Sequence, residues 1–302
     1  MLTSRLDSSL AQSRGFRAPY AGYPLSATVA QSLRPFPQFS SNINVYWAPL
    51  GNSWYDSAQV KVTKRYSHGL DFTSAFTWSK TLARPGGTVN NVFNRANQRS
   101  IASFDQPVIF SVGYNYELPK IGSNKLVRSV IGGWTFGGIL EYASGLPILS
   151  PTSQNNLASL LFQNTLMNRV PGTPLFTKDL NCHCIDPNKD FVLNPAAWTD
   201  AAAGTWGFAA PYYSDYRLER RPIEQMSLGR LFHIRERMSS QVRAEFFNVF
   251  NRTYLSNPTA TNPLATPLRN PAGVPTSGFG FINSTSLAQP PRNGQLVARF
   301  QW

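Results

Sequence analysis

The chain has 302 residues, of which 14% are charged and 13% are aromatic, and its formal net charge is +13. Soluble domains average about 25% charged residues, and the sequence has no uninterrupted apolar run of about 18 residues, which a membrane-spanning helix would need. Its basic residues are scattered, so the positive charge predicts no nucleic-acid partner. A solvated surface is the simplest explanation of this charge, and contact with anionic lipid headgroups or polyanionic sugars is the next.

Residues 1–53 show little periodicity. Five prolines interrupt them, and we predict a loop-rich, irregular lead-in with at most one short strand, at 43–47. Residues 1–14 lack the apolar segment and the cleavage site of a signal peptide. Taken literally, this start predicts a cytoplasmic protein. The interpretation we prefer is that the chain is the C-terminal piece of a longer, exported protein.

Residues 54–80 contain two runs in which apolar and polar side chains alternate, separated by a short polar break at 67–69. A period of two on each side of a tight turn predicts a β-hairpin. Its strands exceed the usual length of about 5–6 residues. Strands of about 9–11 residues or more, apolar on one face only, are typical of a membrane-spanning β-barrel.

The same alternation returns in the segments 108–117, 134–142, 225–234, 240–251 and 295–302. Their apolar positions predict a face that contacts lipid, made of Val60, Val62, Phe72, Phe76, Phe110, Val112, Phe136, Leu140, Ala244, Phe246, Leu296 and Phe300. Aromatic residues near strand ends predict a ring at the membrane interface, which includes Trp54, Trp78, Trp134 and Trp302. The alternative is that these aromatic side chains form the core of a soluble sandwich.

The breaks between the strands alternate in length. Short breaks at 67–69, 119–130 and 235–239 are interleaved with long ones at 81–106, 147–221 and 251–292. Barrels have short turns on the periplasmic rim and long loops on the extracellular rim. The sequence therefore predicts an all-β fold: residues 54–302 form the C-terminal strands of a large, antiparallel transmembrane β-barrel with long extracellular loops.

Chemically conspicuous residues are few. Cys182 and Cys184 flank His183 in a predicted external loop, and the interpretations left open for them are a disulfide, inert thiols or a weak metal site. The sequence has no nucleophile elbow, no zinc-protease motif, no phosphate-binding loop and no dinucleotide fingerprint. We therefore predict no catalytic residue, no committed metal ligand, no cofactor and no enzyme activity.

Four sequence motifs indicate a protein family more specifically than the periodicity does. They are SWYDSAQVKVTKRYSHGLDFTSAFTWSKT, GGWTFGGILEYASGLP, VRAEFFNVFNRT and PPRNGQLVARF. Over roughly residues 20–302, the chain resembles the C-terminal barrel half of Oar-like TonB-dependent outer-membrane transporters. The ending GQLVARFQW also resembles the C-terminal recognition signal of bacterial outer-membrane proteins.

The resemblance implies a barrel of about 22 strands around an N-terminal plug, in the outer membrane of a Gram-negative-type bacterium. The implied partners are outer-membrane lipid and lipopolysaccharide, the missing N-terminal barrel and plug, and the barrel-assembly machinery acting on the last strand. The implied function is uptake of a polar or glycan-like ligand, with the isolated segment inactive. Two alternatives stay open: a surface adhesion or motility protein on the same barrel, and a secreted carbohydrate-binding β-sandwich.

Overall fold

The computed structural model describes residues 1–40, 51–84, 91, 94–119, 132–155, 157, 164–235 and 238–302. The strand predicted at 43–47 and most of the break at 119–130 lie outside these residues. In chain order the strands are β1 (Asn52–Ser67), β2 (Leu70–Arg84), β3 (Ser100–Ile101), β4 (Val108–Glu117), β5 (Trp134–Ala143), β6 (Pro147–Leu149), β7 (Asn168–Arg169), β8 (Trp198–Thr199), β9 (Tyr212–Arg217), β10 (Ile223–Arg235), β11 (Met238–Phe247), β12 (Leu268–Arg269), β13 (Pro275–Ser277) and β14 (Asn293–Gln301).

One large antiparallel sheet dominates the structure. Its strands follow the order β1-β2-β4-β5-β10-β11-β14, and β3 adds a short pairing to β2. Each long strand therefore pairs with the next long strand along the chain. Among the described residues, β1 pairs only with β2 and β14 only with β11, so the two ends of the sheet are not joined. The fold is all-β, and the sheet is an open part of a barrel, as predicted.

The predicted hairpin is present, with a turn of two residues between β1 and β2. His68 and Gly69 both have positive φ, at 53° and 79°. Two successive residues with positive φ match the right-handed twist of hairpin strands. A side chain at Gly69 would also collide with the backbone, because its Cβ would lie 2.6 Å from the Glu117 carbonyl oxygen. The turn places Ser67 opposite Leu70, and a shift of register between Lys64 and Ser67 then places Val60 opposite Phe76.

The register places all twelve residues predicted to contact lipid on one face of the sheet. Residues directly opposite each other in neighbouring strands point to the same face, and Phe76 lies opposite both Val60 and Phe110. Further along the sheet, Ala244 lies opposite Leu296. Trp54, Trp78 and Trp134 occupy the same face by their strand positions, and Trp302 follows the end of β14.

Within the part of the chain that the structure describes, no second layer covers this apolar face. The side chain of Leu296 is 84% exposed, and those of Val60 and Phe300 are also exposed. Soluble proteins rarely leave contiguous apolar patches of this kind uncovered. The opposite face is polar, and within β11 an Arg243 Nη atom lies 2.6 Å from Glu245 Oε1.

The connections alternate in length from rim to rim, as predicted. The connections 68–69, 118–133 and 236–237 join strands at one rim of the sheet, and the longer connections 85–107, 144–222 and 248–292 join them at the other. We call these the short-loop rim and the long-loop rim.

Several predicted boundaries were wrong. β2 continues to Arg84, so residues 81–84 are strand rather than loop, and β1 begins at Asn52 instead of residue 54. β11 ends at Phe247 rather than at 251. The reason is local, because Asn248 and Asn251 adopt positive φ values of 49° and 53°, which end an extended strand.

The lead-in contains two short helices that the sequence pattern did not predict, α1 (Ser9–Ser13) and α2 (Val29–Ser32). Each begins at a hydroxyl side chain, Ser8 or Thr28, that accepts a hydrogen bond from a backbone N–H of the first turn. They enclose a small core with Leu6, Ala11, Tyr23 and Val29. No helix among the described residues is long and apolar enough to cross a membrane.

A charge on the apolar face tests its environment. Phe76→Arg should lower the free energy of unfolding by about 2–4 kcal/mol if this position lies at the middle of a bilayer. Thr73→Arg, on the opposite face of the same strand, is the matched control and should have little effect. The measurement is urea unfolding of the protein in lipid vesicles. Equal losses at the two positions would contradict the one-sided lipid face.

Candidate functional site

The long connections at the long-loop rim fold together into one ordered unit, which we call the loop cap. It comprises residues 144–222 and 248–292, excluding those not described. Its core is the main cluster of buried apolar side chains in the described chain, formed by Ile148, Leu166, Met167, Leu175, Leu180, Val192, Leu193, Ala197, Trp198, Ala209, Tyr216, Phe279 and Ile282. The protein thus buries its principal core in its loops, above the large sheet.

Short strand pairs and aromatic contacts hold the loop cap in shape. β6 pairs with β9, β7 with β8, and β12 with β13. The ring of Trp198 lies 5.5 Å from that of Tyr216 and 6.4 Å from that of Tyr213, measured between centroids. Tyr216 is fully buried, and burial raises the pKa of its hydroxyl above its ordinary value. The long segment predicted to be irregular is therefore rigidly packed, although most of it is neither helix nor strand.

A buried ion pair joins the loop cap to the sheet. Asp105, which is 1% exposed, accepts a hydrogen bond from Arg217 Nη2 at 2.6 Å and another from the backbone N–H of Thr81 at 2.7 Å. Arg217 Nη1 also donates to the carbonyl oxygens of Asp105 and Gly145. Arg217, which lies in β9, thus binds the loops that contain Asp105 and Gly145, and Asp105 in turn binds Thr81 of β2.

Two cavities lie where the loop cap meets the end of the sheet. The first, of about 530 Å³, is lined by Phe176–Asn181, Ser214, Asp215, Arg217 and neighbouring residues. The second, of about 420 Å³, is lined by Val108, Tyr142, Ala143, Ser144, Asn181, His183, Glu219, Arg220, Pro222, Arg252 and Tyr254. Ser144, Asn181 and Arg220 line both, so Arg220 stands at their junction.

The side chain of Asn181 holds Arg220 in place. Its Oδ1 atom accepts hydrogen bonds from the backbone N–H of Arg220 at 2.9 Å and from Nε at 3.2 Å. Its Nδ2 atom donates to Asp179 Oδ1 at 3.3 Å. The amide thereby fixes one edge of the guanidinium group, and within the described chain no carboxylate forms an ion pair with Arg220.

The other cations of the two cavities are neutralised. Lys178 lies 2.7 Å from Asp190, and Arg217 is paired with Asp105. Arg252 Nε lies 2.7 Å from Glu224 Oε2, and Glu224 is 1% exposed at its side chain. Arg220 stands at the junction of the two cavities and, unlike these three cations, forms no ion pair with a described carboxylate.

The structure joins Cys182 and Cys184 in a disulfide, which closes a very small ring next to Asn181. His183, between the two cysteines, takes a positive φ of 52° and lines the second cavity. The described residues contain no group of three or more His, Cys, Asp or Glu side chains suited to a metal ion. The ring therefore shapes the wall of the second cavity.

Among the titratable groups that line the second cavity, Glu219 and Tyr254 have pKa values strongly displaced by burial. Burial raises the pKa of Glu219 to about 7, and Arg221, whose Nε atom lies 3.8 Å from the carboxylate, opposes this shift. Burial also raises the pKa of Tyr254 to about 12. The Tyr254 hydroxyl has no hydrogen-bond partner among the described residues, and its side chain is 1% exposed.

Sequence patterns identified the apolar face but missed both cavities. The residues that line the second cavity come from the start of β4, the end of β5 and two separate loops, so no spacing motif connects them. The one available signal was the pair of arginines at 220 and 221 directly before a predicted strand. This signal indicates a charged strand end, but it does not indicate which residues the arginines contact.

The sheet and its apolar face define the class as a membrane β-barrel domain. Residues 6–295 match a family model described as "Outer membrane beta barrel domain". The chain belongs to this family, which indicates the bacterial outer membrane as its location. No curated protein and no solved structure matches the chain.

Breaking the buried ion pair should release the loop cap. We expect Asp105→Asn to lower the free energy of unfolding by roughly 3–5 kcal/mol, because it leaves the Arg217 charge buried without a counter-charge. Asp7→Asn is the control, since the Arg5–Asp7 pair is exposed and such pairs contribute about 0–1 kcal/mol. Urea titration followed by brief proteolysis of the loop cap measures both. Similar losses in the two variants would show that Arg217 does not anchor the cap.

The displaced pKa of Glu219 should make stability depend on pH. A carboxyl group with a raised pKa in the folded state favours folding at low pH, and this contribution is lost as pH rises through about 7. We expect the unfolding free energy of the unsubstituted protein to fall by about 1–3 kcal/mol between about pH 5 and about pH 8 relative to Glu219→Gln. Asp56→Asn, at an exposed position of β1, should keep the slope of the unsubstituted protein. Parallel pH profiles for Glu219→Gln and the unsubstituted protein would contradict this assignment.

Proposed function

We propose that this chain forms the C-terminal strands of an Oar-like, TonB-dependent outer-membrane transporter, and that its loop cap captures a polar or glycan-like ligand. The observation that carries the proposal is the loop cap itself: a packed unit with its own core and two cavities, located at the rim of an antiparallel membrane sheet. A passive wall of a barrel would need only flexible connections at that rim. The four sequence phrases that resemble such transporters add specificity.

The open edges of the sheet support a role as part of a larger barrel. β1 has 16 residues and β14 has 9, and each pairs with one neighbour only among the described residues. Backbone groups without partners are costly in hydrocarbon, so each edge needs another strand. We propose that an N-terminal barrel segment supplies these strands around a plug, and that the barrel-assembly machinery recognises β14.

In this proposal the protein acts by binding and passage, without catalysis and without a cofactor. Outer-membrane lipid and lipopolysaccharide surround its apolar face, and nucleic acid is not a partner. The cavities offer amide, hydroxyl and guanidinium groups beside aromatic rings, which is a combination that suits sugar rings and their hydroxyl groups.

A surface adhesion function is the second candidate. Phe208 is 74% exposed in the loop cap, and Phe104 is 67% exposed in the connection before β4. Exposed aromatic side chains at the outer end of a barrel would suit contact with a macromolecule. The third hypothesis, a secreted β-sandwich, is wrong, because the chain belongs to an outer membrane barrel family.

The proposed orientation predicts which residues can be labelled from outside the cell. Phe208→Cys in the loop cap should react with a membrane-impermeant maleimide on intact cells, whereas Ser67→Cys, beside the turn of the short-loop rim, should react only after the outer membrane is permeabilised. The unsubstituted protein, whose two cysteines form a disulfide, is the control. Labelling of Ser67→Cys on intact cells would reverse the orientation and remove the loop cap from the cell surface.

Energy dependence separates transport from adhesion. Cells that express the natural protein are incubated with a panel of fluorescent neutral and acidic oligosaccharides, with and without a protonophore. A transporter should accumulate its ligand internally, and the protonophore should abolish accumulation while surface binding persists. Surface binding without protected internal label would favour the adhesin.

A further inference from the structure

We infer that the second cavity binds the phosphorylated sugar headgroup of an outer-leaflet glycolipid, with Arg220 as the side chain that holds the phosphate. This inference rests on the proposed orientation, in which the long-loop rim lies outside the cell. In this inference the second cavity binds a lipid of the surrounding membrane, and the rest of the loop cap binds the transported ligand.

The position of the cavity favours a membrane lipid. Its wall includes Tyr142, which lies directly opposite Phe110 and therefore on the apolar face of the sheet. Val108, two residues before Phe110 in β4, lines the cavity from the same face. The cavity thus contacts the side of the sheet that carries the predicted lipid contacts.

The height of the cavity matches the headgroups of the outer leaflet. Tyr142 is one residue from the end of β5, and Val108 is the first residue of β4, both at the long-loop rim. β4 and β5 each have 10 residues, which is about the length that crosses the hydrocarbon, so their ends at this rim lie at its boundary. A cavity at this level faces sugars and phosphates instead of acyl chains.

The charge of Arg220 fits a phosphate. Asn181 fixes its Nε edge, and among the described residues no carboxylate neutralises it. A guanidinium group offers several donors in one plane and binds phosphate oxygens through paired hydrogen bonds. Because Arg252 already shares its charge with Glu224, Arg220 is the side chain in this cavity available to a second anion.

The rings in the same cavity fit the sugar. Tyr142, Tyr254 and His183 line it, and amphipathic rings of this kind are favoured at headgroup depth. The buried Tyr254 hydroxyl has no partner in the described chain and remains protonated at physiological pH, since its pKa is raised to about 12. Buried hydroxyl groups in native proteins are normally hydrogen-bonded, so an oxygen of the headgroup would satisfy this donor.

Native mass spectrometry of the protein purified from outer membranes tests the assignment. The probes are a phosphorylated lipid A, the same lipid A without its phosphates, and free glucosamine 1-phosphate, each titrated into detergent-solubilised protein. We expect the phosphorylated lipid A to bind most tightly and Arg220→Gln to weaken its binding about tenfold, since a charge-assisted hydrogen bond is lost. Lys189→Gln, which removes an exposed charge from the same loop, is the matched control and should not change the affinity.

Arg220→Lys should retain part of the affinity, because it keeps the charge but loses the planar pairing. Equal binding of the two forms of lipid A, or an unchanged affinity in Arg220→Gln, would overturn the inference. Binding of glucosamine 1-phosphate as tight as that of the lipid would identify a soluble phosphosugar site instead, and would also overturn it. The cysteine-labelling experiment tests the orientation independently. If labelling supports the orientation and these titrations show no preference for the phosphorylated lipid, only the headgroup site is refuted.

Discussion

Backbone hydrogen bonding in a medium without water is the constraint on which the rest of this structure depends. In hydrocarbon every N–H and C=O group of a crossing segment needs a partner within the protein. The long strands meet this requirement by pairing each with the next along the chain. Once each strand is paired, its two faces are free to differ, and lipid on one side makes an exposed apolar face stable.

Because of that constraint, the main core of the protein does not lie against the large sheet. In a soluble domain the sheet would bury its apolar face against a second layer. Here Val60, Leu296 and Phe300 are exposed, and the largest buried cluster lies in the loop cap. The cap must therefore be stable through its own contacts, and Trp198 and Tyr216, from its short strands β8 and β9, form part of its core.

A buried ion pair couples the two regions. The guanidinium group of Arg217 in β9 binds the loops before β4 and after β5, and the Asp105 carboxylate connects it to β2. An arrangement of this kind fixes the height and rotation of the loop cap over the sheet, and so it fixes the cavities between them. The cavity residues come from both sides of that junction, which explains why the chemistry of the site depends on the anchoring of the cap.

Alternation of side chains was enough to predict the sheet. The period of two, the long strands and the alternation of short and long connections follow from local chemistry, because each strand position is either in lipid or in a polar interior. For the same reason the residues of the apolar face, from Val60 to Phe300, could be identified without a structure. Strand ends were predicted less well. β11 ends because Asn248 adopts a positive φ, and the alternation of side chains carries no information about this backbone conformation.

By itself, then, the sequence determined the fold class, the apolar face and the rim at which the long loops lie. Only the tertiary structure decided that these loops form a packed cap, that Asp105 meets Arg217, and that Asn181, Arg220 and Tyr254 surround a common cavity. The physical reason is one of distance along the chain. Face and strand are set by neighbours two residues apart, whereas Asp105 and Arg217 are separated by 112 residues, and no local pattern encodes such a contact.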